Sequence, residues 1–335
     1  MITLENDRLM FRFSDIHTRA ECGIQFQRTL RIPNDDQRYP LPPGLGNFPL
    51  RHLDDYVSKL GSRLLERGGV VMPMYQSEAL WINFNTRQAY PFAIKIATGK
   101  ICAVSGERWF NHLNLDPQDY VVLPQQPWLD GYCIEKGTIR QFVAAPLGSG
   151  HAVEEQVTGE AIVGGIQIVV YPMKRDYYQE KVIEAQKRSR HILYSMSAIP
   201  EDADSQEMNL AAGGRMSQEI FEDTWDLQAW DMRNGKRCFV TIANSEQWLS
   251  LTGELPPTKP IDAKDYAKFN LPWFDYYGDT AAVEGSKILS KVKPIGKLDS
   301  DGSSLPDESI EVVPDEVIAI NQPKRKSLEV REFLQ

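Results

Sequence analysis

Apolar residues recur at every second position of this chain, in short runs cut off by proline or glycine. That pattern limits the fold more than any other. Leu9, Phe11 and Phe13 alternate with Met10 and Arg12, and Cys22, Ile24, Phe26, Leu30 and Ile32 share one parity, with Arg28 interrupting. Successive side chains of a strand point to opposite faces, so a period of two marks strands with one buried face. Asp15 to Arg19 supplies the turn between the two runs, and Pro33, which has no N–H for a ladder, stops the second.

The same reading places strands at Val70–Met74, Ala79–Phe84, Phe92–Ala97, Lys100–Val104, Tyr120–Leu123, Thr138–Ala145 and Arg237–Ala243. Ile166–Tyr171 is apolar on both faces except Gln167 and reads as a central strand. The loop Tyr39–Gly46 holds three prolines and two glycines and is neither helix nor central strand. Helical spacing appears at His52–Arg67, where Leu53, Tyr56, Val57, Leu60 and Leu64 fall on one stripe, and at the charged segment Arg175–His191. Asn244 with Gln247 three residues on predicts a capping box and a helix to about Thr252, with Gly253 as its C-terminal cap. Asp262 and Asp265 mark a further helix start. Gly213-Gly214 reads as a structure break, after which Ser217 starts a short helix. Strands outnumber helices without alternating regularly with them, and no repeat is visible. The expectation is therefore an α+β fold, mainly antiparallel and strand-rich, with several short helices. Residues 1–295 form its body, with a possible sub-boundary near 173–215. Residues 296–335 form a flexible, disordered acidic tail, because Asp299 to Glu316 has no Lys or Arg and too little apolar area to offset ordering. Its patches Ile310–Val313 and Val317–Ile320 suit addition to a partner's sheet edge.

The chain has 335 residues and a formal net charge of -9, which argues against nucleic acid and against an anionic membrane surface as partner. Cys22, Cys102, Cys133 and Cys238 are far apart and read as reduced, buried thiols. Charges from Glu5 to Arg12 exclude a secretory signal, and no apolar run approaches the ~20 residues of a membrane span. The expected product is soluble and cytoplasmic.

Three segments carry candidate chemistry. In Pro146–Gly159, the glycine loop Gly148-Ser149-Gly150 precedes a short helix, an arrangement that can offer N–H groups to an anion, but the third glycine or Gly-Lys-Ser/Thr end of a phosphate loop is missing. A turn needing positive φ explains the glycines as well. As a hydrolase site this segment would use His151 as general base, Glu154 or Asp130 as its acid or orienting partner, and Arg140 or Arg215 as an anion clamp. Glu154 and Glu155 equally suit the first turn of a helix, and Arg215 equally suits tying down a loop. No two of the five histidines stand at ligand spacing, so neither metal nor cofactor is expected. The second pairs aromatics with acids, at Trp225-Asp226 with Trp230-Asp231, at Trp273-Phe274-Asp275-Tyr276-Tyr277 and at Trp128-Leu129-Asp130-Gly131; the third is Leu210–Ile220, where Arg215 follows Gly213-Gly214. Exposed, Trp225, Trp230, Trp273, Asp275 and Tyr276 would make a binding surface for peptide or glycan; buried, they are core with satisfied tips.

The phrases Tyr39-Pro-Leu-Pro-Pro-Gly-Leu-Gly, Gln126-Pro-Trp-Leu-Asp-Gly, Arg140-Gln-Phe-Val-Ala, Pro146-Leu-Gly-Ser-Gly and Leu271-Pro-Trp-Phe-Asp-Tyr-Tyr together resemble a family of microbial hypothetical proteins over roughly residues 25 to 280. No activity is established for that family. The resemblance implies one unit to about residue 290, with the tail outside it. The reactive side chains are few and scattered, so the expected function is a non-catalytic binding or assembly protein, acting on a protein partner or by self-association, or on a small molecule or glycan. A hydrolase at Gly148–Glu155 is the alternative.

Overall fold

The alternating runs at the start of the chain are strands in the computed structural model, which describes residues 1–35, 37–182, 208–257, 260–261, 266, 273–277, 280–298 and 317–321. The first ten strands are β1 (Ile2–Leu4), β2 (Leu9–Arg12), β3 (Glu21–Thr29), β4 (Arg38–Tyr39), β5 (Arg51–His52), β6 (Val70–Pro73), β7 (Ala79–Thr86), β8 (Phe92–Thr98), β9 (Ile101–Cys102) and β10 (Val121–Leu123). The others are β11 (Trp128–Leu129), β12 (Gly131–Glu135), β13 (Thr138–Pro146), β14 (Ile166–Pro172), β15 (Met208–Ser217), β16 (Lys236–Ala243), β17 (Trp273–Tyr277) and β18 (Val317–Asn321).

The first sixteen belong to one sheet whose main path runs β1-β2-β3-β7-β13-β15-β16-β14-β8-β10. Neighbours on this path are antiparallel; the short strands β4 and β6 add in parallel to β15 and β16. β15 and β16 meet at a single register pair, Met208 with Ile242, so the path has two well-paired antiparallel halves. Strands from both sides of residues 173–215 enter this sheet. Phe11, Phe26, Ile82, Phe92, Phe142 and Ile168 are buried in one large apolar cluster.

The body is mostly β, which corrects the α+β expectation. Its longest described helix, Ser245–Thr252, has eight residues. That helix carries the expected capping box, Asn244 accepting from Gln247 N and Gln247 accepting from Asn244 N, and ends at Gly253. The helix expected over His52–Arg67 is instead two short pieces, a 3₁₀ segment Leu53–Lys59 and an α-helix Ser62–Arg67, parted by extended Leu60 and Gly61. The apolar stripe is real only in part: Leu53 is buried, but Val57 is 53% exposed. His52 is already spent on pairing with Val70, and Gly61 is a weak helix former at the middle of the run.

The larger correction is β15. Gly213 and Gly214 do not break structure; they sit inside a ten-residue strand. A Cβ on Gly214 would lie 2.2 Å from the Pro33 carbonyl oxygen and one on Gly213 2.6 Å from the Val143 side chain, so Gly214 serves close backbone approach and Gly213 close packing. The segment expected to be helical from Arg175 gives a turn of α-helix at Arg175–Tyr177 and a π turn at Tyr178–Val182; its remainder to His191 lies outside the described residues, as do Asp262 and Asp265. Beyond the body, the helix Ile295–Leu298 ends, and Val317–Asn321 is β18, paired in parallel with β17 of this chain rather than with a partner's sheet edge. Ile310–Val313 lies outside the described residues. All four cysteines are free and buried, and burial pushes the thiols of Cys133 and Cys238 up to about 12. No described helix is long and apolar enough to cross a membrane.

Candidate functional site

A hollow of about 410 Å³ opens on the β8-β14-β16 half of the sheet, lined by Arg67, Lys100, Arg108, Trp109, Val163, Gln167, Arg237 and Phe239. Its floor follows from register. Phe239 of β16 stands opposite Gln167 of β14, which stands opposite Ala97 of β8; one step along, Arg237, Val169 and Lys95 line up the same way. Arg237 and Phe239 are two residues apart on one strand and so share a face.

Gln167 and Arg237 are held by neutral partners. Gln167 donates to the Gly99 carbonyl and accepts from Arg237 Nη2, while Arg237 Nη1 reaches Asn111 Oδ1 at 3.5 Å. The Arg237 guanidinium lies 5.5 Å from the centre of the Trp109 ring, whose Nε1 donates to the same Asn111 Oδ1 at 3.0 Å. Arg67, at the end of its helix, lies 4.9 Å over the Phe239 ring and donates to the carbonyls of Val163 at 2.7 Å and Ile162 at 3.3 Å. Stacking on a ring and bonding to neutral oxygens orient the Arg237 guanidinium without neutralising it.

The Trp109 wall is fixed from beneath. Lys95 is fully buried, ion-paired with Asp119, and donates to the His112 carbonyl at 2.8 Å with the Phe110 ring 3.6 Å away. On the other side Lys100 bonds Glu160 at 2.8 Å, and that ammonium holds the Glu160 carboxyl below its usual range. Gly99 turns the chain between β8 and β9 at φ +55°, and a Cβ there would meet the buried Glu154 carboxylate at 2.1 Å. Among the described residues, Arg108 and Arg237 make no ion pair. The lining includes no acid, histidine, cysteine or hydroxyl.

The residues singled out from the sequence lie elsewhere. His151, Glu154 and Asp130 are all buried, at 2%, 0% and 2% exposure, and none lines the hollow. Glu154 Oε2 accepts from Gly164 N at 3.0 Å and Asn209 Nδ2 at 3.4 Å; Glu155 accepts from Gly148 N at 2.5 Å. The two acids therefore tie the glycine loops to the helix Val153–Thr158. Asp130 accepts from Gln218 Nε2 at 2.7 Å, and burial pushes its carboxyl up to about 7. Arg140 and Arg215 are brought together as direct cross-strand neighbours. Arg140 is buried and donates to the Gly213 carbonyl at 3.3 Å, and Arg215 stands 3.7 Å from Glu135. Trp230 and Trp273 are core rings, 1% and 3% exposed, and Trp225 is half-buried. Trp230 Nε1 donates to Asp223 at 2.8 Å, while Trp273 packs on Tyr39 and Tyr266. Asp275 and Tyr276 contribute backbone to β17.

Sequence reading missed Arg67, Lys100, Arg108, Trp109, Arg237 and Phe239. One local signal existed: a cation and an aromatic two apart in a strand, Arg237 and Phe239, necessarily share a face. Among the described residues no three of His, Cys, Asp and Glu gather as metal ligands. Comparison with protein-family models, with curated proteins and with solved structures finds no match.

Proposed function

We propose that this is a non-catalytic, cytoplasmic binding protein whose body holds a small anionic ligand in the basic hollow. One observation carries the reading: four cations and two aromatic rings line the hollow with no group among them able to act as nucleophile or proton shuttle at neutral pH. Arg108 and Arg237, without an ion pair among the described residues, at the mouth of a hollow in a chain of net charge -9, are a local reversal of sign that an anion would complete.

The hydrolase alternative draws little support. Its general base would be His151, which is 2% exposed, and its acids already bind backbone N–H groups or side-chain amides. A protein or glycan partner remains compatible with action by contact, but two of the three tryptophans expected to form that surface are core. The test is native mass spectrometry of the full chain purified from cells, for the wild type and for the Arg108→Ala, Arg237→Ala double variant. The expected result is a retained small anion in the first and none in the second, with both folded. Retention unchanged by the two substitutions would overturn the proposal, as would turnover of ester, phosphoester or glycoside substrates by the purified chain.

A further inference from the structure

We infer that the ligand carries a phosphate dianion, an inference that rests on the binding reading above and names the chemistry of its occupant. Arg108 and Arg237 are the lining cations without a carboxylate at ion-pair distance among the described residues. Lys100 already shares its charge with Glu160. Arg237 spends two donors on the neutral oxygens of Gln167 and Asn111, which fix its orientation and leave its charge in place. Arg108 is exposed and makes no side-chain hydrogen bond among the described residues. Glu160 acts on Arg108 only from beyond ion-pair distance, so two guanidiniums without a paired carboxylate match an anion of charge near -2. A phosphate monoester carries about -1.5 to -2 near neutral pH and three acceptor oxygens, and guanidinium meets it through paired N–H donors. A single carboxylate would leave one guanidinium uncompensated and offers half the charge.

The size of the hollow bears on the rest of the ligand. About 410 Å³ lies at the small end of sites that enclose organic molecules and exceeds what a bare phosphate needs. Beyond the cations, the wall offers Trp109, Val163 and Phe239, an apolar side for an organic body. The class is thus a small organic phosphate, with free phosphate as the other source of the same anionic group.

Charge state gives the test its edge. The lining holds no acid or histidine, and the neighbouring Glu160 carboxyl is held below its usual range by Lys100. A phosphate monoester loses its second charge between about pH 7.5 and about pH 5, with a pKa of about 6, whereas a sulfate ester does not titrate. Isothermal titration of the full chain at constant ionic strength with phenyl phosphate, inorganic phosphate, phenyl sulfate and benzoate separates the cases. The expected result is phenyl phosphate binding about tenfold or more tighter than phenyl sulfate and benzoate at about pH 7.5, with that advantage collapsing toward about pH 5. Arg108→Ala and Arg237→Ala should each weaken it about tenfold, and Glu160→Gln should tighten it by freeing Lys100. Inorganic phosphate binding as tightly as phenyl phosphate supports the dianion and makes free phosphate its source. Equal affinity for phosphate, sulfate and carboxylate, all lost in the arginine variants, refutes the dianion while leaving an anion-binding protein. No binding by any probe, with a cellular ligand retained in both variants, refutes both.

Discussion

Two arginines on the same sheet meet opposite circumstances. Arg28 of β3 is buried, and its Nε donates to Glu78 at 2.6 Å; the second carboxylate oxygen of Glu78 accepts from Tyr75 N at 2.9 Å. Arg237 of β16 is exposed, orders itself on an amide, an asparagine and an indole, and has no carboxylate partner among the described residues. The first charge is matched on every side because an unmatched one in the core would unfold the chain. The second is left unmatched where water tolerates it. The difference separates charges that the fold uses from charges available to a ligand, and it makes opposite predictions for their removal.

The largest effect belongs to the core pair. Glu78→Gln keeps the shape and removes the charge, leaving the Arg28 guanidinium buried against an amide. The expected loss is about 3–5 kcal/mol in urea unfolding. A loss under about 1 kcal/mol would mean the pair is held as a neutral carboxylic acid, since burial pushes the Glu78 carboxyl up while Arg28 pulls it down. In that case the comparison with Arg237 fails.

Asp130 is a buried acid without an ion pair among the described residues, and it sharpens the same rule. Its carboxyl is pushed from an ordinary 3.8 to about 7, chiefly by burial. The folded state therefore holds a proton that the unfolded chain releases, so stability falls as pH rises from about 4 to about 7 and is lowest above that window. Asp130→Asn does not titrate. Its unfolding free energy, from urea titrations at each pH, should draw ahead of the wild type as pH rises through the window, by up to roughly 3–4 kcal/mol at about pH 8. A gap between the two proteins that stays constant with pH would show that Asp130 is ionised throughout and that its Gln218 contact suffices.

Those two sites were partly visible in the sequence; the hollow was not. Alternation at Leu9–Phe13, Cys22–Ile32 and Ile166–Tyr171 announces strands because burial on one face dictates it locally. The Asn244–Gln247 cap is legible for the same reason: both partners lie within one turn. Gly213-Gly214 misled because a glycine in a turn and a glycine beside a crossing backbone look alike until Pro33 is placed against it. Gly214→Ala should test that account, since its Cβ would meet the Pro33 carbonyl oxygen at 2.2 Å, with an expected loss of about 1–3 kcal/mol. The hollow draws on Arg67, Lys100, Arg108 with Trp109, Val163 and Arg237 with Phe239, five stretches that only the β8-β14-β16 register and the loops over it gather. Arg140 and Arg215 show the same limit: proposed separately, they prove to be direct neighbours across β13 and β15.

The smallest effect is the most diagnostic, because its sign is reversed. Arg108 makes no described side-chain hydrogen bond and lines a hollow shared with Lys100, Arg67 and Arg237, where three like charges oppose its one attraction, to Glu160 beyond ion-pair distance. Arg108→Gln should therefore raise the stability of the ligand-free chain, by about 0.5 kcal/mol at low salt. The gain should vanish near about 1 M salt, where the screening length falls to about 3 Å. Adding a phosphate ester should reverse the order, since the wild type alone gains the full linkage from binding. Glu78→Gln should show neither the salt dependence nor the reversal. If Arg108→Gln instead destabilises the empty protein and phosphate leaves the order unchanged, Arg108 belongs with Arg28 among the charges that hold the fold, and the hollow loses its claim to a ligand.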